Sequence, residues 1–445
     1  MSRRVVITGL GSVCALGVGM DALWQGLCEG RTNLKRLTHL DPSGFRSRLA
    51  GEVQGFSAKD YVPKHYRKAV KVMARDIELA VGAAKMAVQD AGLVTRAASE
   101  DGAEVACTYR PERMGCHIGA GLIAADTEEM ATAMVTARES GESGVFSLRK
   151  WGGEGGGGME ALTPLWLLKY LPNMPACHVT IIHGCEGPSN TITCAESSGL
   201  LSIGESSRVI ERGAADLCFS GGAESKLNCM GILRMDLAGR LAATGDAEDG
   251  AGFVKPYDAT AVGGILGEGG GILILEAEET ARERGARVYA RVAGFGAGQS
   301  LPDYDDGEAD EGYRYAIMNA LDDAGVQAEQ IDAVVPLGSG IPMLDRAEAG
   351  ALRAVFGARL KDLPLVHFGA NIGNCTAGAG GLQAAVGAKC LAMQSLPARV
   401  HAGRPGTGLN AGSAAARAMN LRYVLVCTAA LGGQNAAVVL ERASE

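Results

Sequence analysis

A side chain at the point where a strand runs into a helix is well placed for chemistry. The helix N-terminus there offers free N–H groups and the positive end of a dipole. Residues 187–204, Gly-Pro-Ser-Asn-Thr-Ile-Thr-Cys-Ala-Glu-Ser-Ser-Gly-Leu-Leu-Ser-Ile-Gly, have this form. The β-branched run 190–193 predicts a short strand and 195–212 a small-residue helix, which puts Cys194, Glu196, Ser197 and Ser198 at the junction. A second turn, Gly369-Ala-Asn-Ile-Gly-Asn374, sets Cys375 beside Asn374 ahead of another small-residue helix, 377–393. Cys194 or Cys375 as nucleophile, with His183 or His367 as base, is one arrangement that these residue types permit. A packed, inert thiol or imidazole is the other, and it is the commoner fate of such residues.

The elements that must hold these residues follow from the pattern along the chain. Residues 5–11 predict a buried strand ending in Gly-x-Gly, 21–29 a helix, and 76–91 a helix entered by the basic run Lys64, Arg67, Lys68, Lys71 and Arg75. Strands are predicted at 114–121, at His178-Val-Thr-Ile-Ile-His183 and at 215–220, which runs into Gly221-Gly-Ala-Glu224. Residues 151–158 read as a flexible glycine segment, and 163–176 as a short helix followed by a Pro-stiffened loop. The segments 113–121 and 187–212 match 333–340 and 365–393 in character, so the chain reads as two βαβ-type portions, 1–275 and 276–445. Alternating strands and helices predict an α/β fold with mixed, mostly parallel sheets covered on both faces.

Composition narrows the function. Glycine supplies 64 of the 445 residues, which implies tight turns and close helix contacts. A net charge of −8 argues against general nucleic-acid binding. The twelve cysteines form no C-x-x-C pair and read as reduced thiols of a cytoplasmic protein without a metal site. No signal peptide and no run of about 18 apolar residues is evident, so no membrane span is expected. The Gly-x-Gly after the first strand lacks the third glycine and acidic ribose ligand of a dinucleotide site, and 151–158 lacks the Gly-Lys-Ser/Thr of a phosphate loop. No cofactor is expected.

Taken together, 187–204, Pro256-Tyr-Asp258, Leu266-Gly-Glu-Gly-Gly-Gly271 and Leu431-Gly-Gly-Gln-Asn435 resemble the β-ketoacyl-carrier-protein synthases, the ketosynthases, over essentially the whole chain. The resemblance implies the five-layered αβαβα thiolase fold and a dimer. In that family a cysteine nucleophile stands tenth from the Gly-Pro start; here the tenth residue is Glu196. The first catalytic histidine falls at Leu337, in Pro336-Leu-Gly-Ser-Gly340, and the second at Asn374, with Gly369 in place of a lysine. The gating motif, usually Phe-Gly-Phe-Gly-Gly, is Ala429-Ala-Leu431-Gly432-Gly433.

A ketosynthase needs a thiolate and two N–H donors on the thioester carbonyl. Glutamate forms no stable thioester, leucine donates nothing, and each lost donor costs about 10²–10³-fold in rate. The resemblance therefore implies a subunit like the chain-length factor of type II polyketide systems. Such a subunit has little condensing chemistry, pairs with an active ketosynthase, and helps to shape the acyl pocket. By the same resemblance Lys64, Arg67, Lys68 and Lys71 dock the acidic acyl carrier protein, while a solvated helix face is their bland alternative. The rival reading is a carrier-protein-dependent acyltransferase, decarboxylase or thioesterase using Glu196 or Cys375. For Glu196 the alternative to any chemistry is a carboxylate satisfied by the N–H groups of its own helix.

Overall fold

A computed structural model describes residues 3–139, 144–300 and 311–443. Its centre is a sheet built from β1 (Val5–Cys14), β2 (Met114–Gly119), β3 (Ser189–Ile192), β4 (Leu217–Glu224), β5 (Gly269–Ala277), β6 (Ala290–Gln299), β7 (Ala333–Val335), β8 (Tyr423–Ala429) and β9 (Gln434–Arg442). The strands run in the order β7-β8-β9-β6-β1-β5-β4-β2-β3. Every residue of β1, β4, β5 and β8 is buried, as expected for strands covered on both faces.

The two flanks of this sheet repeat one another. From β1 outward the pairings are antiparallel, antiparallel, parallel, parallel. From β6 outward they are antiparallel, antiparallel, parallel, then a parallel bridge from Val334 to Leu365. Both inner strands carry a register shift, at Ile7/Gly9 and at Val292/Gly294. The sheet is therefore mixed, and the expectation of mostly parallel pairing is corrected: parallel ladders are confined to the flanks. The tight turn that returns β8 directly to β9 makes those neighbours antiparallel, and β4 and β5 pair in the same sense although a long segment containing the helix Cys229–Leu237 joins them.

Helices complete five layers. On one outside lie α1 (Arg75–Asp90) and α2 (Met174–His183), and on the other α4 (Glu311–Ala324) and α5 (Pro342–Phe356). Between the half-sheets run α3 (Ser198–Glu211) and α6 (Ala379–Met393), which touch strands of both halves and each other. Glycine makes that crossing possible: a Cβ on Gly199 would stand 2.7 Å from the Gly381 nitrogen, and one on Gly380 2.6 Å from that of Leu200.

One predicted strand is a helix. Residues 178–183 close α2, although their β-branched Val-Thr-Ile-Ile run favours a strand. The helix signals were present: Pro175 in the first turn, Gly184 at φ 75° after the end, and buried positions 175, 178, 179, 182 and 183 at helical spacing. The basic run forms its own 3₁₀ turn, Lys64–Val72, before α1. The strand predicted at 5–11 is longer, since β1 continues to Cys14. No helix among the described residues is long and apolar enough to cross a membrane.

Candidate functional site

Glu196 sits where the sequence puts chemistry, at the end of a strand and the start of a central helix. The 3₁₀ turn Ala195–Ser197 leads from β3 into α3, and Ala195 takes the left-handed backbone (φ 45°) that a side chain other than glycine rarely adopts. The other flank repeats this: Thr376 (φ 46°) opens the turn Thr376–Gly378 ahead of α6. Two equivalent, strained junctions thus face one another across the helix crossing.

The carboxylate of Glu196 is fully buried, and its partners are not the N–H groups of its own helix. Oε1 accepts a hydrogen bond from Nη2 of Arg240, itself buried, and another from Nδ2 of Asn374 at 3.0 Å. The amide of Asn374 is oriented from its other side, because Oδ1 accepts from the Thr376 N–H at 2.9 Å. Oε2 of Glu196 and Nε of Arg240 have no partner among the described residues. Glu196 and Asn374, remote in sequence, are therefore in direct contact, beside the buried Arg240–Glu196 ion pair.

Local structure explains why Arg240 points inward. The helix Cys229–Leu237 ends in a Schellman turn, with Gly239 at φ 66° donating to Asp236 and the Arg240 N–H donating to Met235. The chain then pairs with Gly264, which donates to the Arg240 carbonyl and accepts from Ala242. Sequence reading missed Arg240. The only sign of it is the glycine that stops the helix, which fixes a turn without saying where the next side chain goes.

Leu337 is held by a second missed group. Glu348, on α5, accepts from the Leu337 and Gly338 N–H groups at 2.9 Å and from the hydroxyls of Tyr257 and Tyr313 at 2.6 Å. Asp345, one turn earlier, accepts from Ser339, Gly340 and Tyr257. Burial first and the Glu348 charge second push its carboxyl up to about 7. Leu337, Asn374 and Cys375 line one cavity of about 20 Å³, whose other walls include Phe368 and Leu382. That volume holds about one water molecule.

The alternative nucleophiles and bases are not assembled. Cys375 is buried and its thiol is driven well above its ordinary range by desolvation; partial burial also raises that of Cys194. Such thiols are not nucleophilic at neutral pH. His183 lies in α2 against Phe219, bonded to the Thr95 hydroxyl at 2.8 Å, and His367 donates from Nε2 to the Ala411 carbonyl at 2.7 Å. Burial pushes both imidazoles down to about 3. Neither pairs with a cysteine. Ser198 caps its own turn on Ala195, and Ser197 donates to the Gln434 carbonyl at 2.7 Å.

That last bond reaches the predicted gate. Leu431, Gly432 and Gly433 form the turn between β8 and β9, closed by the Gly433 N–H donating to Ala430 at 2.9 Å. Lys64, Arg67, Lys68 and Lys71 are exposed, and none has an ion-pair partner among the described residues, whereas Arg75 is committed to Glu268 and Glu78. A larger cleft, of about 640 Å³, lies beside that Arg75–Glu268 pair and is also lined by Glu52, His39, Asp76 and Tyr170. Its walls mix these polar groups with Met73, Ile123, Leu227 and Met230, and His39 is paired with Glu52. No cluster of three or more metal-binding side chains occurs among the described residues.

Comparison with known proteins agrees with this architecture. The model of the β-ketoacyl synthase N-terminal domain matches residues 2–281, and that of the C-terminal domain matches residues 289–403. The chain is 27% identical over 444 residues to a 3-oxoacyl-[acyl-carrier-protein] synthase 2 of Staphylococcus aureus (strain COL), covering 99% of each chain. A Vibrio cholerae protein of the same description is 29% identical, with 99% of each covered. Among solved structures, the ishigamide ketosynthase/chain length factor superposes with a TM-score of 0.80 at 26% identity and full coverage of both chains. A β-ketoacyl synthase from Burkholderia phymatum superposes at 0.82 with 24% identity, covering 99% of this chain and 100% of its own, a likeness of fold. With both domain models matched across most of its length, the chain belongs to the β-ketoacyl synthase family.

Proposed function

We propose that this protein is a non-condensing, chain-length-factor-like subunit that pairs with an active ketosynthase and is visited by its acyl carrier protein. One observation carries the reading. Glu196 and Asn374, the positions matched to the family's nucleophile and second histidine, are joined to Arg240 in a buried ion-pair cluster. A buried carboxylate that already accepts two donors is not free to receive an acyl chain. The cavity lined by its partner Asn374 admits about one water, so in this reading the acyl chain belongs in a space completed by the partner.

A partner surface is available. The sheet ends at β3, a short, half-exposed edge strand, and an exposed edge is a template for pairing. Large apolar side chains, Leu122, Val135, Leu148, Leu165 and Leu237, are exposed in the segments that follow β2 and β4. Carrier protein docks on Lys64, Arg67, Lys68 and Lys71 in this reading, and the division at residues 275/276 assigns Glu196 to one portion and Leu337 and Asn374 to the other. The buried, neutral thiol of Cys375 weighs against the rival acyltransferase, decarboxylase or thioesterase reading.

Co-expression with the ketosynthase encoded nearest to it tests the proposal. The two chains should co-elute as a heterodimer, and condensation should require both. A chain that elutes alone and turns over loaded carrier protein unaided contradicts it.

A further inference from the structure

We propose that Arg240 is a latch: acting through Glu196 and its bond to Asn374, it keeps the small cavity lined by Asn374 and Cys375 closed. The contact draws together three segments remote in sequence. Glu196 opens α3, Arg240 follows the helix Cys229–Leu237, and Asn374 stands in the turn before α6. Ser197, the next residue, binds the Gln434 carbonyl, so the hairpin turn at 431–433 is tied to the same point.

The geometry is that of a latch rather than a fork-to-fork structural pair. A guanidinium matches a carboxylate through two parallel bonds. Here one oxygen takes both donors, while Oε2 of Glu196 and Nε of Arg240 are buried without partners among the described residues. One ion-paired hydrogen bond therefore holds Arg240 to its partner. The side chain is the moving part, because the backbone at Arg240 is pinned by Gly264 on one side and by Met235 on the other. Leu237, three residues before it, is 79% exposed, so the outer surface is close along the chain.

The inference rests on Glu196 being a structural rather than a catalytic group, yet its test reads thiol access and not turnover. Full-length protein is treated with N-ethylmaleimide and the modification of Cys375 is followed by peptide mass spectrometry. Exposed Cys229 serves as the fast reference, and buried Cys390 and Cys427 report on the fold. In Arg240→Ala, and in Glu196→Ala combined with Arg240→Ala, which leaves no unpaired charge, Cys375 should react about ten-fold faster or more through local opening. In the double variant Cys390 and Cys427 should stay protected, and Arg240→Lys should keep the wild-type rate. An unchanged Cys375 rate in both variants overturns the latch. So does a rise of all three buried thiols together in the double variant, or a wild-type Cys375 as reactive as Cys229. Carbon dioxide release from malonyl-loaded carrier protein, measured separately, bears on the non-condensing reading alone.

Discussion

At Glu196 the side chain costs more to leave unpaired than to keep. Its charge is fully buried, and Arg240 is its sole ionic partner among the described residues. Removing one member strands the other in a low-dielectric interior, so Arg240→Ala should destabilise the fold by about 3–5 kcal/mol. Removing both should cost less than the sum of the two single losses, by about 0.5–3 kcal/mol in a urea-unfolding cycle. Additive losses would mean that the two side chains do not interact. The sequence made position 196 legible, since the strand, turn and small-residue helix single it out. Its partner was not legible. Arg240 lies 44 residues away, past a helix whose Schellman turn re-aims the chain, and no local pattern encodes that direction. His183 and His367 show the reverse error: residue type suggested bases, while burial makes both neutral and packed.

Among the elements, the crossing of α3 and α6 positions everything at the site, and it depends on missing side chains. A Cβ on Gly381 would lie 2.0 Å from the Gly271 carbonyl oxygen, backbone that cannot yield cheaply. Gly381→Ala should therefore destabilise by about 1–3 kcal/mol through overpacking. Gly252→Ala, where a Cβ meets nothing within 4 Å, should stay within about 0.5 kcal/mol of wild type. Equal losses in calorimetry would contradict this account of how closely α6 packs on β5. Most elements could be read from period and glycine punctuation, β1 and α6 among them. The sheet's antiparallel centre could not, because it depends on which distant strands return beside β1 and β6. In α2, helical burial outweighed the β-branched run at 179–182, and Pro175 with Gly184 marked its ends.

For the whole molecule, charge and protonation set two expectations. Charge reversal at Lys64, Arg67, Lys68 and Lys71 should weaken carrier-protein binding and flatten its salt dependence without shifting Tm, since these exposed side chains hold no ion pair among the described residues. Unchanged binding in a titration would favour a plain solvated face. Burial pushes His117 and His178 down to about 4, and His183 and His367 to about 3, from an ordinary 6.5. The unfolded chain binds those protons first, so this stability is complete above about pH 6.5 and is lost as the pH falls through 4 and 3. Asp76 and Asp345, raised to about 7 chiefly by burial, and Glu348, also raised by burial, act in the opposite sense above their ordinary range. Four histidines outweigh three carboxyls, so Tm should rise from pH 4 to 6.5, and a falling Tm in scanning calorimetry would contradict this.

The most direct test of the central claim is to incubate the purified chain alone with malonyl-loaded acyl carrier protein and to measure both carbon dioxide release and the intact mass of the chain. The account predicts no release above the carrier protein by itself and no acyl adduct, for the wild type and for Glu196→Ala alike. Release or an adduct that disappears in Glu196→Ala would show that Glu196 performs chemistry, and would contradict the account.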